Sequence, residues 1–342
     1  MKNSKMYVLI LLASVFVGIL PLSAFSQGKP IELRLAHMFP SNSPSGQHIE
    51  NWAKRIASDS NGRLTIRIFP ANTLIAAPEL YDGVAKGVSD LSFGIRYKPE
   101  GYVLGAAIPF ILGAPDTHTA GRIYEEIWKK FPKQMAEEWK DVKVLWLAPT
   151  QVQTIITKKP VRTIDDMKGL QIRVPSRELG DLMKDLGATP VFMSMADFVI
   201  GIEKGTVDGV ASQPGGIYEN KLGGKVKFAL ELSLGVPTPM MVIANWNTYN
   251  NLPSDLKSNI DKSCEWGKEG TAKVWSDLLE ESKNYFKAEG IEFVQLSREE
   301  KARWIPIIEN ARDRVGKTLD GKGYPGTEIV QFIRERVEHY AR

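Results

Sequence analysis

The chain of 342 residues has one cysteine, Cys264, so no disulfide can form within it. That thiol lies in a long helical stretch and reads as a packed small hydrophobe. Histidine is scarce too: His37, His48, His118 and His339 are the full set. No two stand at i,i+4 and no Cys or His cluster exists, which argues against a tetrahedral metal site. There is no GxSxG. Gly316-Lys317-Thr318 imitates the end of a phosphate loop, but Ala311 stands where the first glycine belongs, near the end of a helical pattern. No GxGxxG accompanies the first strand–helix turn, so dinucleotide binding has no support, and no cofactor is expected. Basic runs are missing. The 44 Lys and Arg are interleaved with 40 Asp and Glu for a formal charge of +4, which leaves nucleic-acid binding without a footprint. Low-complexity tracts are absent, and an apolar content of 43% reads as globular throughout.

Long apolar runs are also missing after the first twenty residues. Met6 to Leu20 is apolar, follows Lys2 and Lys5, and precedes Pro21 and the small-residue site Ala24-Phe25-Ser26. A span needs about 20 apolar residues, so this run reads as a cleavable signal rather than an anchor. No cysteine follows it, which excludes a lipoprotein anchor. A soluble exported protein then needs an outer membrane to retain it, and the expected location is a periplasm.

Beyond the signal, the length permits one large or two medium domains. Ile31 to His37 alternates as a strand, and the loop MFPSNSPSG leads to a helix from Gly46 to Ser58. Asn61-Gly62 turns into a strand, Leu64 to Phe69. Pro78 opens a helix that ends at Gly87, and Asp90 to Ile95 is the third strand. This βαβαβ order implies parallel pairing with right-handed crossovers. Apolar Ala106 to Leu112 follows, then helical Thr117 to Glu138. Val142 to Ala148 (VKVLWLA) is a continuous apolar strand, expected to be buried on both faces. A new unit begins at Thr154. From Leu252 to Ala288 the pattern is helical without an internal proline, apart from Pro253 at its start. Two further helices are expected, one from Ser297 and one over Thr327 to Tyr340.

The stretch from Thr163 to Gln213 carries the candidate chemistry. Leu170 to Pro175 alternates as a half-buried strand, with Gln171 and Arg173 opposite Leu170, Ile172 and Val174. Pro175 ends it, which puts Arg173 near the carboxyl end, where ligand crevices of open α/β sheets lie. A guanidinium there is a fork of donors suited to a carboxylate. An ordinary surface ion pair fits the same spacing. Ser176 is a cap for a helix bearing Leu179, Leu182, Met183 and Leu186, with Gly187 as its stop. Ser194 with Asp197 resembles a capping box for a short helix ending at Gly205, before a strand interrupted by Asp208-Gly209.

Three elements in register, DMKGLQIRVPS, GATPVFMSMADF and EKGTVDG, resemble the solute receptors of tripartite ATP-independent periplasmic (TRAP) transporters, DctP-type, and the similarity runs from about Ile31 to Val337. The resemblance implies a periplasmic-binding-protein-like α/β fold. Two α/β domains would enclose a ligand cleft, and a long helix would span both. It implies domain I at 27–150 plus 239–278, domain II at 151–238 plus 279–342, and crossings near Pro149–Val152 and Val236–Pro239. It implies a carboxylate-binding role for Arg173. Cleft loops are then expected to offer His37, Met38, Phe39, Ile95, Arg96 and Tyr97 from domain I. From domain II they offer Gln153, Met195, Ser212 and Gln213. His37 fits a structural role better than direct contact, and Arg96 has Glu100 as a local alternative partner.

Two departures from better-known members bear on the ligand. Gln153 stands where receptors for large polyhydroxy acids have a second arginine, and DGVAS puts Ser212 where an asparagine is frequent. Both reduce polar reach and favour a monocarboxylate with an apolar or aromatic body. The implied partners are that small organic acid and membrane permease subunits, with the receptor itself a monomer. Two alternatives stay open: an exported enzyme acting on small acids, or a binding protein serving a sensor or an ATP-driven importer. Protein recovered from the periplasm should start at Gln27, and Edman sequencing checks this; a chain retaining Met6–Leu20 would refute cleavage.

Overall fold

The computed structural model describes residues 29–96, 117–193, 195–235 and 239–340. The expected signal at 1–26, Tyr97, Glu100, the apolar stretch at 106–112, the expected cap Ser194 and most of the expected second crossing, 236–238, lie outside them. In chain order the elements begin with β1 (Ile31–His37), α1 (Pro44–Asp59), β2 (Leu64–Phe69), α2 (Leu80–Ala85) and β3 (Leu91–Gly94). There follow α3 (Thr117–Lys130), α4 (Pro132–Glu138) and β4 (Val142–Ala148). The next group is β5 (Thr154–Thr157), β6 (Gln171–Val174), α5 (Arg177–Asp185), β7 (Thr189–Phe192) and α6 (Met195–Lys204). Then come β8 (Gly209–Ser212), α7 (Pro214–Glu219), β9 (Phe228–Leu230), β10 (Met240–Asn245) and α8 (Trp246–Asn251). The chain closes with α9 (Ser254–Ala288), β11 (Glu292–Val294), α10 (Arg298–Asp320) and α11 (Gly326–Tyr340).

Two sheets result, a five-stranded one in the order β2-β1-β3-β10-β4 and a six-stranded one in the order β11-β9-β5-β8-β6-β7. β1 pairs in parallel with β2 and β3, as the βαβαβ pattern requires, while β10 runs antiparallel between β3 and β4. Each sheet is covered on both faces. α2, α3 and α11 bury Leu80, Ile123 and Ile333 on one side of the first sheet, and α1 and α9 bury Trp52, Ile56 and Ile260 on the other. In the second sheet α5 and α10 cover Ile172 and Val174, while α6 and α7 cover Ile156 and Val210. This double cover corrects the half-buried reading of β6: Ile172, Arg173 and Val174 are all buried, and only Gln171 is exposed.

The helix starts follow local chemistry. Ser43, Ser176 and Ser297 each accept a bond from a backbone N–H three residues on, at 3.1, 3.4 and 3.2 Å. α9 has 35 residues and at about 1.5 Å per residue runs roughly 52 Å. Its Leu256, Ile260 and Trp275 join the first domain's core, and its Phe286 joins the second's. Close approach to the first sheet needs its two interior glycines. A Cβ on Gly267 would fall 2.6 Å from the Trp146 ring, and one on Gly270 would fall 2.2 Å from His48. His48 Nε2 lies 2.9 Å from the Gly267 carbonyl, and Trp146 Nε1 donates to Thr271 Oγ1 at 3.2 Å.

The C-terminal helices divide differently from the expected grouping of 279–342 with the second domain. Trp304, Ile308 and Ala311 of α10 do pack in the second domain. Leu319, and Ile329, Ile333 and Val337 of α11, pack with Tyr81, Ile123 and Ile127 of the first. The 23-residue α10 is long enough to carry the chain from one core to the other, and α11 then folds back along it. Cys264 is half-buried, its Sγ 3.3 Å from the Ile260 carbonyl, and burial pushes its thiol up to about 12, so it stays protonated.

Gly267→Ala gains helix propensity of about 1 kcal/mol but overpacks Trp146, a cost of about 1–3 kcal/mol. A net loss of stability is expected in urea unfolding, and a gain would show that α9 has slack against the first sheet.

Candidate ligand cleft

β6 puts Arg173 in register with Val191 of β7 and Val210 of β8. Paired residues of neighbouring strands share a face, so Arg173 lies on the side covered by α6 and α7. It is 7% exposed, and its Nε donates to the Met193 carbonyl at 2.9 Å. Ser212, two residues beyond Val210, ends β8 on the same face. Gly216 of α7 leaves space there: a Cβ at that position would lie 3.0 Å from Met195 Cε and 3.1 Å from Ser212 Oγ. Arg173, Met195, Ser212 and Gly216 thus gather at the carboxyl end of β6 and β8. Ser212 is 7% exposed, and its hydroxyl has no hydrogen bond among the described residues.

The segment between the domains is tied by amide side chains. Gln151, fully buried, accepts from Gly215 N at 2.9 Å through Oε1 and donates through Nε2 to the Trp275 carbonyl at 3.2 Å. Gln213 Nε2 donates to Thr150 Oγ1 at 2.9 Å. Gln153 holds β5 to the chain at Leu234 and Gly235 with its backbone, leaving its buried amide without a side-chain bond among the described residues. Gln151, Gly216 and Trp275 were not among the sequence candidates. The Gln-Val-Gln and Pro-Gly-Gly runs that hold two of them are visible, but neither has a periodicity that assigns a contact.

On the first domain, β1 ends at His37, with Met38 and Phe39 following. Phe39 is half-buried against Phe93 at 5.3 Å and Trp275 at 6.4 Å between ring centroids. His37 is fully buried, its Nδ1 accepting from Phe39 N at 3.2 Å, and burial lowers its pKa to about 4. It is therefore neutral at pH 7. Met38 and Ile95 flank this wall, packed against the first domain's cores.

Arg96, the other arginine expected to serve the cleft, is in contact with groups of its own domain. It is 8% exposed, its guanidinium lies 3.8 Å over the Tyr81 ring and 5.4 Å from Trp139, and it donates to the Glu138 carbonyl. The reason is local: β3 ends beside Tyr81 of α2 and Trp139 just after α4, whose ring faces attract a cation. Burial raises the Tyr81 phenol to about 12, against the opposing pull of the Arg96 charge.

Two surface hollows border α10 and α11, near Asp313, Arg314 and Lys317 and near Ile305 and Arg334, and neither includes an expected site residue. Among the described residues no group of three His, Cys, Asp or Glu is placed to hold a metal, and no helix is long and apolar enough to cross a membrane.

Comparison with known proteins accords with this arrangement. A dicarboxylate-binding periplasmic protein DctP of Rhodobacter capsulatus is 21% identical over 324 residues, covering 92% of this chain and 93% of its own. The crystal structure of a marine-metagenome TRAP solute-binding protein specific for aromatic acids, with 3-hydroxybenzoate, superposes with a TM-score of 0.81 at 23% identity. That match covers 92% of this chain and 100% of the other. A TRAP protein of Pseudomonas putida with bound D-glucuronate superposes at 0.74 and 19% identity, covering 89% and 97%. At these identities the structures speak for the fold. The sequence matches the bacterial extracellular solute-binding proteins, family 7 (DctP), over residues 35–317, so the TRAP-receptor resemblance holds and the chain belongs to that family.

Proposed function

We propose that this receptor binds a monocarboxylate with an apolar or aromatic body in the periplasm and delivers it to a TRAP permease. The observation that carries the reading is the unequal use of two arginines. Arg173 stands with Met195, Ser212 and Gly216 at the strand ends, while Arg96 is held by Tyr81 and Glu138 inside its own domain. Of the two, Arg173 is the cation placed at these strand ends to meet a carboxylate. Met38, Phe39 and Met195 supply apolar and polarizable surface, and a pocket of this kind binds mainly by apolar contact with a few polar groups fixing orientation. The 3-hydroxybenzoate-bound relative supports the ligand class, and the glucuronate-bound one marks the competing polyhydroxy acids.

In this mechanism Arg173 recruits the anion while the domains are apart. Contacts from Phe39 and Met38 form only as they close, and that differential affinity drives closure. Taking a mostly open population to mostly closed requires about 5.5 kcal/mol. A bidentate guanidinium–carboxylate pair with desolvated apolar contacts reaches this range. The chain itself carries no energy-coupling group; the permease supplies it.

Calorimetry of a monoacid against its matching diacid, phenylacetate against phenylenediacetate, tests the ligand class. The monoacid should bind as well or better, and a diacid about tenfold tighter, 1.4 kcal/mol, would refute it. Arg173→Ala should lose about 2–5 kcal/mol of binding. Arg173→Lys should also weaken it severely, since a point charge replaces a planar fork; lysine binding equally well would remove the bidentate contact. Small-angle scattering should show a smaller radius of gyration at ligand saturation, and an unchanged radius would count against hinge closure.

A further inference from the structure

The first domain's wall holds two N–H groups that meet no acceptor among the described residues. His37 Nδ1 is occupied as an acceptor by the Phe39 amide, so the neutral ring carries its proton on Nε2. That Nε2 is buried without a hydrogen-bond partner, and so is Trp275 Nε1. Both side chains are more than nine-tenths buried, and both pack against one ring, Phe39, at 6.3 and 6.4 Å between centroids. Phe39 is itself half-buried at the start of the loop leaving β1. Buried donors are seldom left unpaired, and two beside one half-buried ring at a strand end are explained by a partner from outside the chain. The Trp304 indole is also unpaired among the described residues, but it sits inside the second domain's core with Leu179 and Ile308, on the sheet face opposite Arg173.

We propose that His37 and Trp275 form a second polar pole of the cleft, which takes a neutral oxygen acceptor on the body of the ligand, a phenolic hydroxyl, ether or ketone oxygen. The proposal rests on the aryl-monocarboxylate reading and deepens it: Arg173 holds the carboxylate, and a shift of the Phe39 ring admits the oxygen to the two N–H groups. A second carboxylate does not suit this pole. Both donors are neutral, and a desolvated anion there would lack a counter-charge. Specificity of this kind is strong, because an analogue without the oxygen leaves the donors unpaired.

Calorimetry with phenylacetate and its 2-, 3- and 4-hydroxy isomers tests it. At least one isomer should bind about tenfold tighter than phenylacetate. Trp275→Phe, which removes the indole N–H while keeping an aromatic ring, and His37→Phe should each erase most of that gain, read as the ratio of hydroxy-acid to phenylacetate affinity in the same variant. Circular dichroism checks folding, and Trp275→Phe alone suffices if the histidine variant does not fold. Phenylacetate binding with no hydroxyl gain, or a gain unchanged in Trp275→Phe, would overturn the second pole and leave the ligand class standing. Failure of all four acids to bind would overturn both.

Discussion

One rod has to belong to two cores at once. α9 lies against Trp146 and His48 in the first domain and reaches Phe286 in the second, and it does so only because positions 267 and 270 have no side chain. The backbone contact so created brings the Trp275 carbonyl to Gln151 and the Trp275 ring to Phe39. The back of the cleft is therefore set by how closely a helix can approach a sheet.

Two arginines end comparable strands and have opposite fates. Arg96 follows β3 and meets the rings of Tyr81 and Trp139. Arg173 sits within β6 among Val191 and Val210, with a backbone carbonyl at Nε. Burial among apolar neighbours strengthens whatever electrostatic interaction a guanidinium makes. The surroundings, not the residue type, decide which arginine serves the fold.

The elements were legible where a periodic pattern or a cap dictates them. β1, β6 and α9 emerge from alternation and from an uninterrupted helical run, and Ser176 and Ser297 cap where their spacing indicates. The cover on both faces of β6 was not legible, because its second face is covered by α6 and α7 from later in the chain. Nor was the place of Arg96, which depends on aromatic rings at 81 and 139, both distant in sequence. The return of α11 to the first domain hinges on Gly316 and Gly326, where a Cβ on Gly326 would lie 2.1 Å from the Gly316 carbonyl. A glycine pair ten residues apart announces nothing until the two helices are seen to cross.

The strand β10 sits between β3 and β4, both made from residues before 150. During synthesis the first sheet therefore waits, with two unpaired edges, until the chain has passed through nearly all of the second domain. The second sheet waits in turn for β11, which follows β10 by more than a whole helix. Neither half is a module that finishes alone. The pairing is non-local on both sides, a slow arrangement for any folding chain. The same braiding ties the lobes through the chain: β10 of the first sheet follows β5 to β9 of the second, and β11 of the second follows β10.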